Sequence, residues 1–173
     1  HVRSRRQRQM CIRDRNKKDA MSRSENMARV KNKNTKPELY IRRLLWKEGF
    51  RYRLHSKKLP GKPDLYLPKY NTAIFVNGCF WHLHDNCKYA SFPKNNHEFW
   101  KKKLLSNKER DKNTYSKLNE SDIKVLVIWG CEVQNMLKDE VYRNRRLSEI
   151  KSFILGKNSD VPQTGCLLYT SDA

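Results

Sequence analysis

No stretch of this chain approaches the roughly twenty consecutive apolar residues that a membrane-spanning helix needs, and no leader-peptide pattern is present. These absences predict an intracellular protein with no membrane partner. Cysteines number five, odd and arranged with histidine, which fits a reduced compartment and a metal site better than a disulfide framework. There is no internal repeat, and 173 residues give room for one ordinary domain rather than two. Acidic residues are in short supply: 18 Asp and Glu stand against 38 Lys and Arg, a formal charge of +20. Such an excess calls for a polyanion, and nucleic acid is the first choice. Charge alone does not separate an enzyme on nucleic acid from a ribosomal protein or a simple basic binder.

The two ends differ from the middle. Residues 1–15 lack apolar periodicity, and residues 157–173 are equally abrupt. Both resemble translated adapter read-through, so they are expected to be non-native or disordered; a natural basic arm is the alternative for the first. The basic excess survives their removal. Residues 16–156 are then the folded domain, and they alternate between helical and strand patterns. Thr35-x-x-Glu38 reads as a capping box with Pro37 in the first turn, and Ile41, Leu44 and Leu45 continue the helix until Gly49. Strands are predicted over 50–54, 64–67, 72–76 and 123–129, the second and third forming a hairpin about Pro68–Asn71. A long polar helix should run from Asn95 or Asn96 to about Leu118, and a last helix over 135–155 should stop at Gly156. The expected fold is α/β, a small mixed sheet flanked by helices.

What is present in abundance sits between residues 76 and 87, which read Val-Asn-Gly-Cys-Phe-Trp-His-Leu-His-Asp-Asn-Cys. Cys79, His84 and Cys87 offer thiolate and imidazole ligands from one tight loop, and Cys131 in Trp129-Gly130-Cys131 can close a tetrahedral set from a distance. The competing reading makes each Cys a small buried hydrophobe and Phe80-Trp81 core. It is the clustering of ligand types that favours zinc. His82 is left over. In an extended chain it would share a face with His84, so a kink is required to send one imidazole to metal and the other elsewhere.

Two further places carry chemistry. Asp64 follows Gly61-Lys62-Pro63 at a strand start, where a stiff turn can hold a carboxylate for a hard divalent cation; the plainer reading is a turn residue. Trp100, Leu104, Asn107 and Asp111 fall on one stripe of the long helix. Asn107 and Asp111 on that stripe are explained by a solvated face or by an inward site that also receives Asp64 and His82. Lys101-Lys102-Lys103 is a solvated or phosphate-facing run without sequence information.

Taken together and in order, Pro37-Glu38, Pro60-Gly-Lys-Pro-Asp64, Asn77-Gly-Cys-Phe-Trp-His82, Glu98-Phe-Trp100, Asn107-Lys-Glu-Arg-Asp111 and Trp129-Gly-Cys131 resemble the very-short-patch-repair mismatch endonucleases. The resemblance spans roughly 21–156. It implies the restriction-endonuclease-like fold, catalytic magnesium, structural zinc, and nicking of double-stranded DNA 5′ to the thymine of a T:G mismatch left by deamination of 5-methylcytosine. It further implies a monomer in the bacterial cytoplasm, with mismatch-repair proteins and a DNA polymerase acting downstream. At matching positions Asp64 and the main-chain carbonyl of Val76 would hold magnesium. His82 would be the general base, Asp111 would orient the hydrated metal, and Glu38 is the helix-borne acid nearby. Cys79, His84, Cys87 and Cys131 match the zinc ligands. Phe80, Trp81 and Trp100 match aromatics that enter the base stack, with Asn107 as a further DNA contact. Two departures stand out. Thr72–Asn77 lacks the Glu-x-Lys common in the wider nuclease superfamily, and Val76-Asn77 stands where some members carry Thr-His. A restriction-type endonuclease cutting an intact site, and a non-catalytic zinc-bearing DNA-binding module, are the alternative functions.

Overall fold

Gly49 decides where the first helix ends. The computed structural model describes residues 33–156, and in it helix α1 (Lys36–Lys47) closes in a Schellman motif. Gly49 takes φ +87°, its N–H donates to the Trp46 carbonyl at 3.1 Å, and Phe50 N–H donates to the Leu45 carbonyl at 3.0 Å. This cap corrects the expected strand over 50–54. Phe50 is consumed in finishing the helix and buries its ring, so strand β1 is only Arg53–Leu54. The expected domain start at 16 and both end segments lie outside the described residues.

Strand β2 (Leu65–Leu67) and β3 (Thr72–Asn77) form the hairpin that the sequence predicts, in antiparallel register with Leu67 opposite Thr72. A 3₁₀ turn over Pro68–Tyr70 joins them, and Asn71 takes the left-handed conformation that lets it return. Helix α2 (His97–Asn119) then crosses to β4 (Lys124–Trp129), which pairs parallel to β3. The sheet order is β1-β2-β3-β4, a small mixed sheet.

Every residue of β3 is buried, because both faces of the strand are covered. Ile74 and Val76 pack with Leu126 and Ile128 against α1 and the last two helices; Ala73 and Phe75 face the other way, with Leu118 and Tyr115 of α2. The single last helix expected over 135–155 is two helices. Helix α3 (Gly130–Lys138) starts directly at the end of β4, where Glu132 accepts from Trp129 N–H at 2.8 Å. Asp139 then leaves helical geometry at φ −123° and caps α4 (Glu140–Leu155) by accepting from Tyr142 N–H at 3.1 Å. Gly156 ends α4 at φ +67°, as predicted. Among the described residues no helix is long and apolar enough to cross a membrane.

Candidate active site and metal centre

Asp64 sits immediately before β2, held there by the Leu59–Pro63 turn. Gly61 in that turn has φ +68°, and a Cβ on it would collide with Thr114 of α2, so the turn lies flat on the helix only because the residue is glycine. The Asp64 carboxylate then spans to β3: Oδ2 accepts from the main-chain N–H of Val76 at 2.8 Å. Burial pushes the Asp64 carboxyl above its ordinary range, the Val76 N–H opposes this, and the nearby Glu38 adds to it. A raised carboxyl pKa means that the ionised form costs stability once the pH has risen through it. In magnesium-free protein that retains its zinc, Asp64→Asn should therefore unfold at a higher temperature than wild type at neutral pH. Calorimetry should show the gap closing near or below the unfolded carboxyl pKa of about 3.9.

Glu38 and Arg42 are one helical turn apart on α1, both buried on the core side, with Arg42 Nη2 donating to Glu38 Oε2 at 3.1 Å. The same Arg42 nitrogen lies 3.1 Å from His55 Nε2, and His55 Nδ1 lies 3.9 Å from Asp64 Oδ1. Sequence reasoning singled out neither Arg42 nor His55. A signal existed for the first, since a charged pair at i,i+4 lies beside Ile41 and Leu45 on an apolar stripe.

The loop after β3 does the separating that two nearby histidines require. Leu83 takes φ +46°, His82 N–H donates to the Gly78 carbonyl at 3.2 Å, and His84 N–H to the Cys79 carbonyl at 3.0 Å. His82 is thereby sent toward α2, where its Nδ1 lies 2.5 Å from Asp111 Oδ2. His84 turns to the opposite side and stacks flat on Trp129, ring centroids 4.1 Å apart and 8° from parallel. The helical stripe points inward: Leu104 is buried, and Asn107 Nδ2 donates to the Trp81 carbonyl at 3.1 Å, tying the loop to α2 while Arg110 donates to the amide oxygen. Asn77 is buried and donates from Nδ2 to Tyr115 Oη at 2.9 Å, one turn beyond Asp111.

Cys79, His84, Cys87 and Cys131 converge, their ligand atoms all within 4.8 Å of one another. In the parallel register Asn77 pairs with Trp129, so Cys79 and Cys131 each stand two residues beyond the paired ends of neighbouring strands. Cys131 Sγ lies 3.4 Å from His84 Nδ1. Burial, and then the neighbouring Cys79 thiol, push the Cys131 thiol up to about 12; burial raises Cys79 and lowers His84. Burial thus favours the uncharged thiol until a cation compensates it.

Phe80, Trp81 and Trp100 form a half-buried cluster of edge-on contacts, with centroids 5.1, 5.6 and 6.0 Å apart. Phe99, 59% exposed, extends it. Lys103 is not merely solvated. Its ammonium lies 5.9 Å from the Trp81 ring and 5.6 Å from that of Trp100.

The profile of the family described as DNA mismatch endonuclease Vsr matches residues 14–88. The chain is 41% identical over 132 residues to the type II nicking enzyme V.NmeAIP of Neisseria meningitidis serogroup A, covering 76% of this chain and 94% of that one. To the DNA mismatch endonuclease Vsr of Escherichia coli K12 it is 36% identical over 129 residues, covering 73% and 82%. The type II nicking enzyme V.XorIIP of Xanthomonas oryzae pv. oryzae is 40% identical over 110 residues, covering 64% and 80%. By class, this chain is a DNA endonuclease. It belongs to the Vsr DNA mismatch endonuclease family.

Proposed function

We propose that this endonuclease nicks one strand of double-stranded DNA, 5′ to the thymine of a T:G mismatch derived from 5-methylcytosine, on a restriction-endonuclease-like fold pinned by structural zinc. The observation that carries the chemistry is the His82–Asp111 pair at 2.5 Å. Asp111 accepts from Nδ1, which fixes the tautomer and leaves Nε2 as the base; the half-exposed ring can take a proton from water, and the carboxylate stabilises the imidazolium that results. Asp111 thus has a direct partner in His82 besides the metal-orienting role that the family resemblance implies. Asp64 and the Val76 carbonyl are the donors for magnesium, a hard-cation set of oxygens at the junction of β2 and β3. When bound, the ion supplies Lewis-acid stabilisation of the charge that develops on the scissile phosphate. Glu38 lies close enough to Asp64 to raise its pKa, adding acidic charge at the same place. Asn77 is engaged by Tyr115, so it fixes the end of β3 rather than standing in for a histidine.

Three Cys and one His make a closed structural set, and separations within 4.8 Å need little contraction to surround an ion at about 2.0–2.3 Å. This centre joins the loop bearing His82 to α3. The nicking relatives support single-strand cleavage over a double-strand cut. The test is nicking of matched and T:G duplexes carrying varied flanking sequence: strong preference for T:G is expected, and equal cleavage of a matched site on both strands would replace this reading by the restriction-type one.

The aromatic cluster supplies the mismatch sensing. Half-buried rings under a lysine ammonium can wedge into a stack, which is cheapest to open where pairing is already poor. Truncating Trp81 or Trp100 to alanine should weaken T:G discrimination by about 1–3 kcal/mol while leaving general DNA attraction largely intact. Lys101 and Lys102 substitutions should instead weaken all duplexes alike and flatten the salt dependence. A Trp100→Ala protein that loses about 3–5 kcal/mol of stability with its mismatch preference unchanged would assign that ring to the core. Thermal unfolding beside matched and mismatched affinity decides between the two.

A further inference from the structure

His55 belongs to none of the sequence motifs, yet one of its ring nitrogens lies beside Arg42 of α1 and the other toward Asp64. Its ring is half-buried, at a backbone of φ +45°, and its own N–H approaches the Asp64 carbonyl at 3.5 Å. One face of the imidazole meets Arg42: Nη2 to Nε2 is 3.1 Å. A guanidinium has donors and no acceptor, so His55 Nε2 must accept that hydrogen bond. In the neutral ring the proton then resides on Nδ1, the nitrogen 3.9 Å from Asp64 Oδ1. The other carboxylate oxygen is already fixed by Val76 N–H at 2.8 Å. Arg42 is in turn held by Glu38, to which the same Nη2 donates its second hydrogen at 3.1 Å.

We propose that His55 is a positioning residue for the divalent-cation site: the Glu38–Arg42 pair locks it as the Nδ1–H tautomer, and that N–H steers Asp64 Oδ1, leaving the carboxylate's remaining lone pairs aimed at the metal. The inference rests on the proposed role of Asp64 as metal ligand. Supporting groups of this kind hold a ligand's orientation in its unbound state, so their loss appears first as weaker metal binding. At 3.9 Å the two atoms are paired by charge rather than by a hydrogen bond, and the N–H reaches Oδ1 once the gap shortens by about 1 Å.

Two side chains separate the hypotheses at position 55. Glutamine keeps an acceptor for Arg42 and a donor for Asp64; leucine keeps neither, and both meet the same left-handed backbone, so strain is common to the pair. In magnesium-free wild type that retains its zinc, long-range proton–nitrogen spectra of the imidazole should place the His55 proton on Nδ1. In magnesium titrations of nicking, His55→Leu should raise the half-maximal magnesium concentration about tenfold or more with the saturating rate nearly retained. His55→Gln should restore most of that shift, and thermal unfolding of both variants confirms that they are folded. A His55 proton on Nε2, or a His55→Leu protein with the wild-type magnesium midpoint, overturns the proposal. So does a His55→Gln protein as impaired as His55→Leu. Failure of the underlying reading looks different: Asp64→Ala would itself continue to nick, whereas failure of the relay alone leaves Asp64→Ala inactive and His55→Leu normal.

Discussion

Asp64→Ala and His82→Ala should each leave the protein folded and bound to DNA but nearly unable to nick it. For Asp64 the expected loss is about a thousandfold or more in the single-turnover rate, because a metal's stabilisation of phosphoryl charge amounts to several kcal/mol and each 1.36 kcal/mol is a factor of ten. For His82 the expected loss is about 10²–10⁴-fold, the range that a positioned base contributes. Asp111→Asn should fall in the same range, since an amide can present its N–H to Nδ1 and stabilise the wrong tautomer. Affinity should change far less in all three, because the surplus of Lys and Arg, and not these side chains, supplies most of the phosphate attraction. Gel shifts and nicking assays on the same preparations read both quantities. The result that sinks the mechanism is near-normal turnover by His82→Ala, which would leave the attacking water without its base. Wild-type turnover that needs no divalent metal would remove the role of Asp64 and leave His82 to be explained anew. No turnover under any metal, with DNA binding retained, would favour the non-catalytic zinc-bearing module.

The parts of this site that were legible in the sequence are those where one local rule is enough. Two short strand segments on either side of the Pro68–Asn71 turn predict the hairpin, and β2 and β3 pair antiparallel about it. The stripe of Trp100, Leu104, Asn107 and Asp111 leaves an inward helical face as one of two readings, and Asp111 does point at His82. The need for a kink between His82 and His84 is legible too, although only the fold shows that Leu83 makes it. What escaped depends on contacts far apart in sequence or on competition between neighbouring devices. Phe50 carries strand patterning, but the Schellman cap about Gly49 claims it first. Asp139 interrupts what reads as one continuous helix because its carboxylate is better used capping Tyr142 N–H. His55 reads as one polar residue among lysines, and its meeting with Arg42 exists only once α1 lies beside β1. Asn77 looks like a weakened histidine position until Tyr115, thirty-eight residues later, gives its amide a partner.

Cys131→Ser should cost the protein its metal and its fold stability in one step. Wild-type protein purified without chelator should carry about one zinc per chain by mass spectrometry, because Cys79, His84, Cys87 and Cys131 present a complete tetrahedral donor set from two strand ends and one loop. Serine keeps the size of the side chain and removes the soft thiolate, so the change isolates ligation from packing. The consequence reaches the catalytic loop. Residues 78–87 are mostly turns shaped by hydrogen bonds within the loop, such as His84 N–H to the Cys79 carbonyl at 3.0 Å, and they meet α3 through the ligand cluster itself, where Cys131 Sγ lies 3.4 Å from His84 Nδ1. Zinc is the proposed link between that loop and Cys131, so its removal should lower the unfolding temperature and release His82 from Asp111, reducing nicking even with magnesium saturating. Because burial and the neighbouring Cys79 push the Cys131 thiol up to about 12, metal uptake must expel its proton. Zinc retention should accordingly weaken as the pH falls, and competition with a chelator across pH measures the slope. A wild-type protein that is fully folded and active with no zinc bound would show that the four donors only pack together, and Cys131→Ser would then behave as a mild core substitution.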